Sequence, residues 1–300
     1  MVDLSVLIPA RNEEFLSLTI DSVLKNSTAD TEVIAVLDGY WPNPPLIDHP
    51  KVTLIHHTNP IGQRAATNEA ARLSQAKFVM KLDAHCSVDH GFDSQLINDC
   101  RRRNWTLVPL MKNLHAFDWK CDHCGKRYYQ ADCPDKCCEK NDFQKVIVWQ
   151  PRHRKDTASW RFDKDLHFQY WQSYMKRPEA RHKMMETMCF IGACWFIHRE
   201  QYWELEGLDE AHGSWGQVGV EVSCKTWLSG GKLITDRNTW FAHMFRTNKK
   251  FSFPYKLSGN AQDRARKYSR DLWLNNKWHK QKYKLDWLVE KFKPVPDWHE

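Results

Sequence analysis

An alternation of apolar runs and amphipathic stretches fills the first ninety residues and limits what this chain can fold into. Leu4-Ser5-Val6-Leu7-Ile8 is a short apolar run closed by Pro9, and residues 13 to 25 follow with Phe15, Leu18, Val23 and Leu24 at roughly helical spacing. Glu32 to Leu37 reads as a second buried strand ending at Asp38-Gly39, Val52 to His56 as a third, residues 62 to 74 as a helix, and Lys77 to Leu82 as a fourth strand. Strands alternating with helices imply an α/β fold: a mostly parallel, doubly wound sheet with ligand-binding loops at the C-terminal strand ends.

Two carboxylates fall at such ends, Asp38 after the second run and Asp83 in Asp83-Ala84-His85 after the fourth. A carboxylate and an imidazole two residues apart suit a compact divalent-metal site, and a carboxylate at a neighbouring strand end suits a base or ribose. Either Asp taken alone also fits a turn. No G-x-G-x-x-G follows the first strand and no G-x-x-x-x-G-K-[ST] occurs, so a bound phosphate must be met by metal and side chains.

Composition narrows the class. Three hundred residues with 42% hydrophobic content can bury a large core. No window resembles a signal peptide or reaches the ~18 apolar residues of a membrane span, so a cytoplasmic protein, of a bacterial cell or phage-infected host, is expected. Ten cysteines there suggest thiols or metal ligands rather than disulfides. Cys121-Asp122-His123-Cys124-Gly125 and Cys133-Pro134-Asp135-Lys136-Cys137-Cys138 have the spacing of a small zinc knuckle, with Cys121, Cys124, Cys133 and either Cys137 or Cys138 as ligands. The net charge of +7 favours an anionic partner: a nucleotide diphosphate, an acidic glycan or a nucleic acid.

The segments Val6-Leu7-Ile8-Pro9-Ala10-Arg11-Asn12-Glu13, Leu37-Asp38, Gly62-Gln63-Arg64 and Leu82-Asp83-Ala84-His85-Cys86 together resemble the nucleotide-sugar half of family 2-like glycosyltransferases with the GT-A fold. Within that group the chain looks most like the polypeptide N-acetylgalactosaminyltransferases. The likeness resumes at Ile191-Gly192-Ala193-Cys194-Trp195-Phe196-Ile197, Gly207-Leu208-Asp209, Trp215-Gly216, Glu221 and His243-Met244-Phe245-Arg246. It implies a nucleotide-diphosphate sugar donor, UDP-linked, and a divalent metal, Mn²⁺ or Mg²⁺, held by Asp83, His85 and His243. It further implies that Arg246 meets the diphosphate, Asp38 the nucleoside and Arg64 the donor side of the cleft, with Pro9, Arg11, Glu13, Gly192 and Trp215 also in the donor pocket. Thr247 to Tyr255 resembles the loop that closes over the donor in that family.

The likeness is broken at one place. Where the family has tryptophan, two glycines, glutamate and asparagine, this chain reads Trp215-Gly216-Gln217-Val218-Gly219, with Glu221 at a later acidic position. Sugar identity and stereochemical outcome stay open as a result. Glu221 or Asp209 are the candidates for a general base, as in inverting relatives; an exposed i,i+4 pair of Glu221 with Lys225 is the structural alternative.

The expected organisation is a GT-A core over residues 1–256, interrupted by a zinc-binding insertion over 113–150, and a basic aromatic C-terminal extension over 257–300. In that extension Arg264, Arg266, Lys267, Arg270, Lys277, Lys280, Lys282 and Lys284 interleave with Tyr268, Trp273, Trp278, Tyr283 and Trp287, and Lys126, Arg127, Tyr128, Tyr129, Lys136 and Lys140 surround the cysteines. Such surfaces suit DNA, so hydroxymethylated pyrimidine in DNA is the favoured acceptor. A cell-surface glycan precursor or a protein hydroxyl is the alternative acceptor. A non-catalytic, zinc-dependent nucleic-acid-binding protein is the reading from another class, and an amphipathic tail packed on the core is the plainer account of the extension.

Overall fold

The computed structural model describes residues 2–46, 48–138, 141–152, 156–246, 251–255 and 259–298. The first half is β1 (Leu4–Ala10), α1 (Leu16–Asn26), β2 (Thr31–Asp38), β3 (Val52–His57), α2 (Gln63–Leu73), β4 (Phe78–Leu82), β5 (Cys86–Val88) and α3 (Phe92–Asp99). β1, β2, β3 and β4 pair in parallel in the order β4-β1-β2-β3. Their fully buried runs, such as Val33 to Leu37 and Phe78 to Leu82, are what a sheet covered on both faces requires. Pro9 does not close β1: pairing with β2 continues to Ala10↔Leu37, although pairing with β4 has stopped at Leu7↔Lys81, and a proline is tolerated where one side is unpaired.

Next come β6 (Trp105–Cys121), β7 (Arg127–Tyr129), β8 (Phe143–Pro151), the short pair β9 (Trp160–Phe162) and β10 (Phe168–Tyr170), β11 (Met184–Glu186), β12 (Cys194–His198), α4 (Arg199–Glu204), α5 (Val218–Leu228), β13 (Lys232–His243), α6 (Ala261–Leu274) and α7 (Leu285–Lys291). β12 enters antiparallel between β4 and β6, and β13 lies parallel to β6 with β11 antiparallel at the edge. The sheet is therefore parallel in its first half and mixed in its second. The order is β11-β13-β6-β12-β4-β1-β2-β3.

Residue 113, the expected start of the insertion, is where the chain passes from one sheet to another without a break in the strand. β6 is one strand of 17 residues that leaves the central sheet after Asn113↔His243 and continues as the spine of a second small sheet with β7 and β8. Phe15, Leu114, Phe117, Met244 and Phe251 form a separate apolar cluster where the two sheets meet.

The C-terminal stretch packs on α5. Trp273 and Trp278 are buried, Tyr268 donates to Asp209, and Leu285, Leu288, Val289 and Phe292 join the main core. Several of its cations meet nearby acids, as in Lys277–Asp271, Lys280–Glu206 and Arg266–Asp263. The basic-aromatic interleaving expected to serve DNA is thus an amphipathic pattern, with the stacked Tyr283–Trp287 pair as its exposed aromatic feature among the described residues. Among the described residues no helix is long and apolar enough to cross a membrane.

Candidate donor and metal site

The C-terminal ends of β1, β2 and β4 open into a cleft of about 920 Å³, closed on the other side by the start of α5 and the end of β13. Asp83 follows β4 directly, its N–H held by the Ala193 carbonyl. β5 pairs antiparallel with β13 so that Cys86 faces His243, and the Met244 N–H donates to the His85 carbonyl. Two short stretches of chain about 160 residues apart are locked side by side in this way.

Their side chains converge. His243 Nε2 stands 3.1 Å from His85 Nε2 and 3.2 Å from Asp83 Oδ2, and all three ligand atoms lie within 4.8 Å of one another. Glu13 accepts from His85 Nδ1 at 2.9 Å, which fixes the tautomer and leaves a lone pair on Nε2. Burial keeps His243 neutral, its pKa lowered to about 4. Burial would raise Asp83, but Lys81 and the two histidines hold it well below the usual carboxylate range. Two imidazole nitrogens and a carboxylate oxygen gathered at one point make a donor set that fits a divalent cation.

Lys81 was not singled out by sequence. It is wholly buried, its Nζ against Asp83 and 3.0 Å from the Gly192 carbonyl. Gln63 Nε2 donates to Asp83 at 3.3 Å. Arg246 reaches Glu13 at 2.8 Å, so one carboxylate ties the guanidinium to His85. Burial opposes the charge on Glu13, yet His85 and Arg246 lower its pKa.

Pro9, Arg11, Glu13, Asp38, Asp83, Gly192, Trp215 and Arg246 all line the cleft. Asp38 accepts from the N–H groups of Ile61 and Gly62, at 2.5 and 3.2 Å, which fixes the carboxylate at the base of the wall. Thr247 to Lys250 lie outside the described residues; Phe253 and Tyr255 line the cleft, Phe253 against Trp215 and Tyr255 under Arg11.

Other expected residues are elsewhere. Arg64 is buried and points away from the cleft, donating to Glu221 at 2.9 Å and to the Gly213 and Gly216 carbonyls. Glu221 is fully buried, also meeting Lys225 at 3.0 Å and the Asp209 N–H. Burial would raise its pKa; Lys225, Arg64 and His212 lower it to about 2. A carboxylate with every oxygen engaged and no path to the cleft is not placed to take an acceptor proton, and its pair with Lys225 is internal rather than exposed. Asp209 is not placed for this either: it accepts from Ala211 N–H and Tyr268 Oη and does not line the cleft.

Val218, Gly219 and Val220 line the cleft at the start of α5. A Cβ on Gly219 would lie 1.9 Å from the Phe190 carbonyl oxygen, and one on Gly192 (φ +89°) 2.8 Å from the Gly219 nitrogen. Two backbones touch here, so neither position can carry the family's asparagine or any other side chain without moving the wall.

Away from the cleft, the thiols of Cys121, Cys124, Cys137 and Cys138 gather in one group, and Cys133 is exposed and outside it. The expected set of three cysteines plus one is corrected accordingly: both vicinal cysteines take part.

Residues 5–104 match the family described as Glycosyl transferase family 2. The chain is 24% identical to human polypeptide N-acetylgalactosaminyltransferase 10 over 291 residues, covering 90% of this chain and 42% of that protein. It is 24% identical to the human type 3 enzyme over 289 residues, covering 90% and 41%. The chain thus spans less than half the length of these relatives. A crystal structure of GalNAc-T7 with UDP, GalNAc and Mn²⁺ superposes with a TM-score of 0.63 at 18% identity, over 91% of this chain and 48% of that one. The chain has the GT-A fold, its residues 5–104 match family 2 glycosyltransferases, and polypeptide N-acetylgalactosaminyltransferases are among its relatives.

Proposed function

We propose that this chain transfers a sugar from a UDP-linked donor to a protein hydroxyl, with Mn²⁺ held by Asp83, His85 and His243. The observation that carries the reading is the convergence of those three ligand atoms in a cleft that also holds Arg246 and Asp38. Bound there, the cation neutralises charge developing on the departing nucleoside diphosphate. Arg246 supplies a guanidinium fork beside it, oriented by Glu13. Asp38 lines the nucleoside end of the cleft, and Trp215, Phe253 and Tyr255 shield the donor from water.

The polypeptide acceptor draws support from the relatives' names, and the DNA acceptor loses its main motive because the tail's aromatics pack inward. The sugar end of the cleft is apolar at Val218 and Val220, so the donor sugar must be found by trial. A cytoplasmic setting is retained in this reading, since four gathered thiols need a reducing compartment. UDP release should be measured with Mn²⁺ against UDP-GalNAc, UDP-GlcNAc and UDP-glucose, and acceptors scored by mass spectrometry on serine- and threonine-containing peptides beside hydroxymethylated duplex DNA. Mn²⁺-dependent modification of peptide supports the proposal. Sugar on DNA alone, or no UDP release from any donor, sinks it.

A further inference from the structure

The tip of the small sheet lacks an apolar core. Among residues 122–138 the buried ones are Gln130 and Cys137, and Cys121 is buried at the end of β6. About twenty residues with so little buried surface do not hold a shape by the hydrophobic effect alone. Something else fixes this loop.

The thiols supply it. Cys121 Sγ is 3.6 Å from Cys138 Sγ, Cys124 Sγ is 3.4 Å from Cys137 Sγ, and all four lie within 4.8 Å of one another. Four sulfurs each at ~2.3 Å from a central ion stand ~3.8 Å apart at the corners of a tetrahedron, which these separations bracket; a disulfide needs ~2 Å. The first pair sits in a tight turn: the Gly125 N–H donates to the Cys121 carbonyl at 3.0 Å with Gly125 at φ +71°, and the His123 and Cys124 amides point at Cys121 Sγ. Backbone donors to a ligating sulfur are what a thiolate on a cation needs to be stabilised. The second pair is consecutive, and Cys138 holds φ +39°, a conformation unfavourable for a residue with a Cβ, which brings its thiol to the same point as that of Cys137.

We propose that Cys121, Cys124, Cys137 and Cys138 bind one zinc ion that folds the tip of the β6–β7–β8 sheet, with Cys133 outside the site. The ion is structural, because four protein thiolates leave no open coordination position. This site is separate from the donor cleft and stands or falls independently of the proposed transfer reaction.

Metal analysis of the full chain, purified without chelator or added metal, should find one zinc per chain, and Co²⁺ in its place should show the spectrum of a tetrahedral tetrathiolate. Cys124→Ser and Cys138→Ser should lose the ion and Cys133→Ser should keep it. Cys138→His, which preserves a ligand, should retain zinc and guards against a variant that fails to fold. Treating the unaltered protein with chelator should raise tryptic cleavage at Lys126, Arg127 and Lys136 about tenfold while the core stays resistant. Iron or no metal in the native chain, zinc unchanged in Cys138→Ser, or zinc lost in Cys133→Ser would each overturn the assignment.

Discussion

Two clusters of opposite charges stand on either side of the cleft wall, and they use the same residue types to opposite ends. At the mouth, Asp83, Glu13, His85, His243 and Arg246 converge with imidazole and carboxylate atoms that face one another around a point open to the cleft. Behind the wall, Arg64, Glu221, Lys225 and His212 are all buried and saturate one another, with the Gly213 and Gly216 carbonyls taking up the rest of the guanidinium. The first arrangement has donor atoms left for a cation; the second has none. Its work is mechanical, since Arg64 grips the backbone on both sides of Trp215 and so holds that part of the wall.

The sharpest way to break the contrast is to remove one member of each. At the mouth His85→Ala is cleaner than Asp83→Ala, because losing Asp83 strands the wholly buried Lys81 without its counter-ion. His85→Ala should cut Mn²⁺-dependent UDP release by ~10²- to 10³-fold, at ~1.4 kcal/mol per decade for an effect of several kcal/mol, with the melting temperature little changed. Unchanged turnover would remove His85 from the ligand set, and a parent chain with no turnover at all would leave a binding protein instead. Behind the wall Glu221→Gln should behave conversely, costing ~3–5 kcal/mol of stability in urea unfolding by leaving Arg64 and Lys225 unpaired. A variant that kept its stability and lost only turnover would restore Glu221 as the general base. With its folded pKa lowered to about 2 from 4.5, Glu221 adds stability above pH ~4.5 that is lost as pH falls toward 2.

The sequence shows the two clusters unequally. The βαβ alternation was readable because strand and helix periods are local: helix 63–73 and strand 78–82 fall within about one residue of expectation. Asp83 and His85 were visible as a strand-end pair, but His243 joins them only through β5–β13 pairing, which no local pattern records. Lys81 did leave a signal, a lone cation inside the apolar run Phe78 to Leu82, two residues before Asp83 and so on the same strand face. Arg64 and Glu221 are 157 residues apart, and nothing in either neighbourhood says that they meet inside the protein rather than in the cleft. The cysteine spacing located a cluster but misassigned Cys133, because a vicinal pair turned to one point by a positive φ cannot be told from spacing.

Asp236 extends the contrast to a carboxyl with no cation. It is buried beside the bulge in β13, one oxygen unpartnered, and burial together with Asp99 raises its pKa from 3.8 to about 7. The folded state therefore keeps a proton that the unfolded chain has released. This stability is fully present below pH ~4 and is lost as pH rises through 7. Between pH 5 and pH 7 the loss should be ~2–3 kcal/mol, at ~1.4 per unit, and Asp236→Asn should remove it. Urea unfolding at both pH values decides: parallel pH profiles for the two proteins would show that Asp236 is ionised throughout.

The smallest effect tests whether exposure alone makes a surface functional. Trp287 is 37% exposed and stacks on Tyr283 with ring centroids 4.2 Å apart. The rings cap the packed tail, so Trp287→Ala should cost only ~0.5–1.5 kcal/mol of stability and leave transfer to peptide unchanged. A base-stacking platform would behave differently, because each stacked base is worth ~1–3 kcal/mol and binding of the strand falls steeply with salt. DNA retention that falls steeply with salt in the parent chain and disappears in Trp287→Ala would reverse the reading of the tail. Equal and weak retention by both proteins would show that the surrounding lysines attract any polyanion without stacking it, as expected where several of those cations are already paired with neighbouring acids.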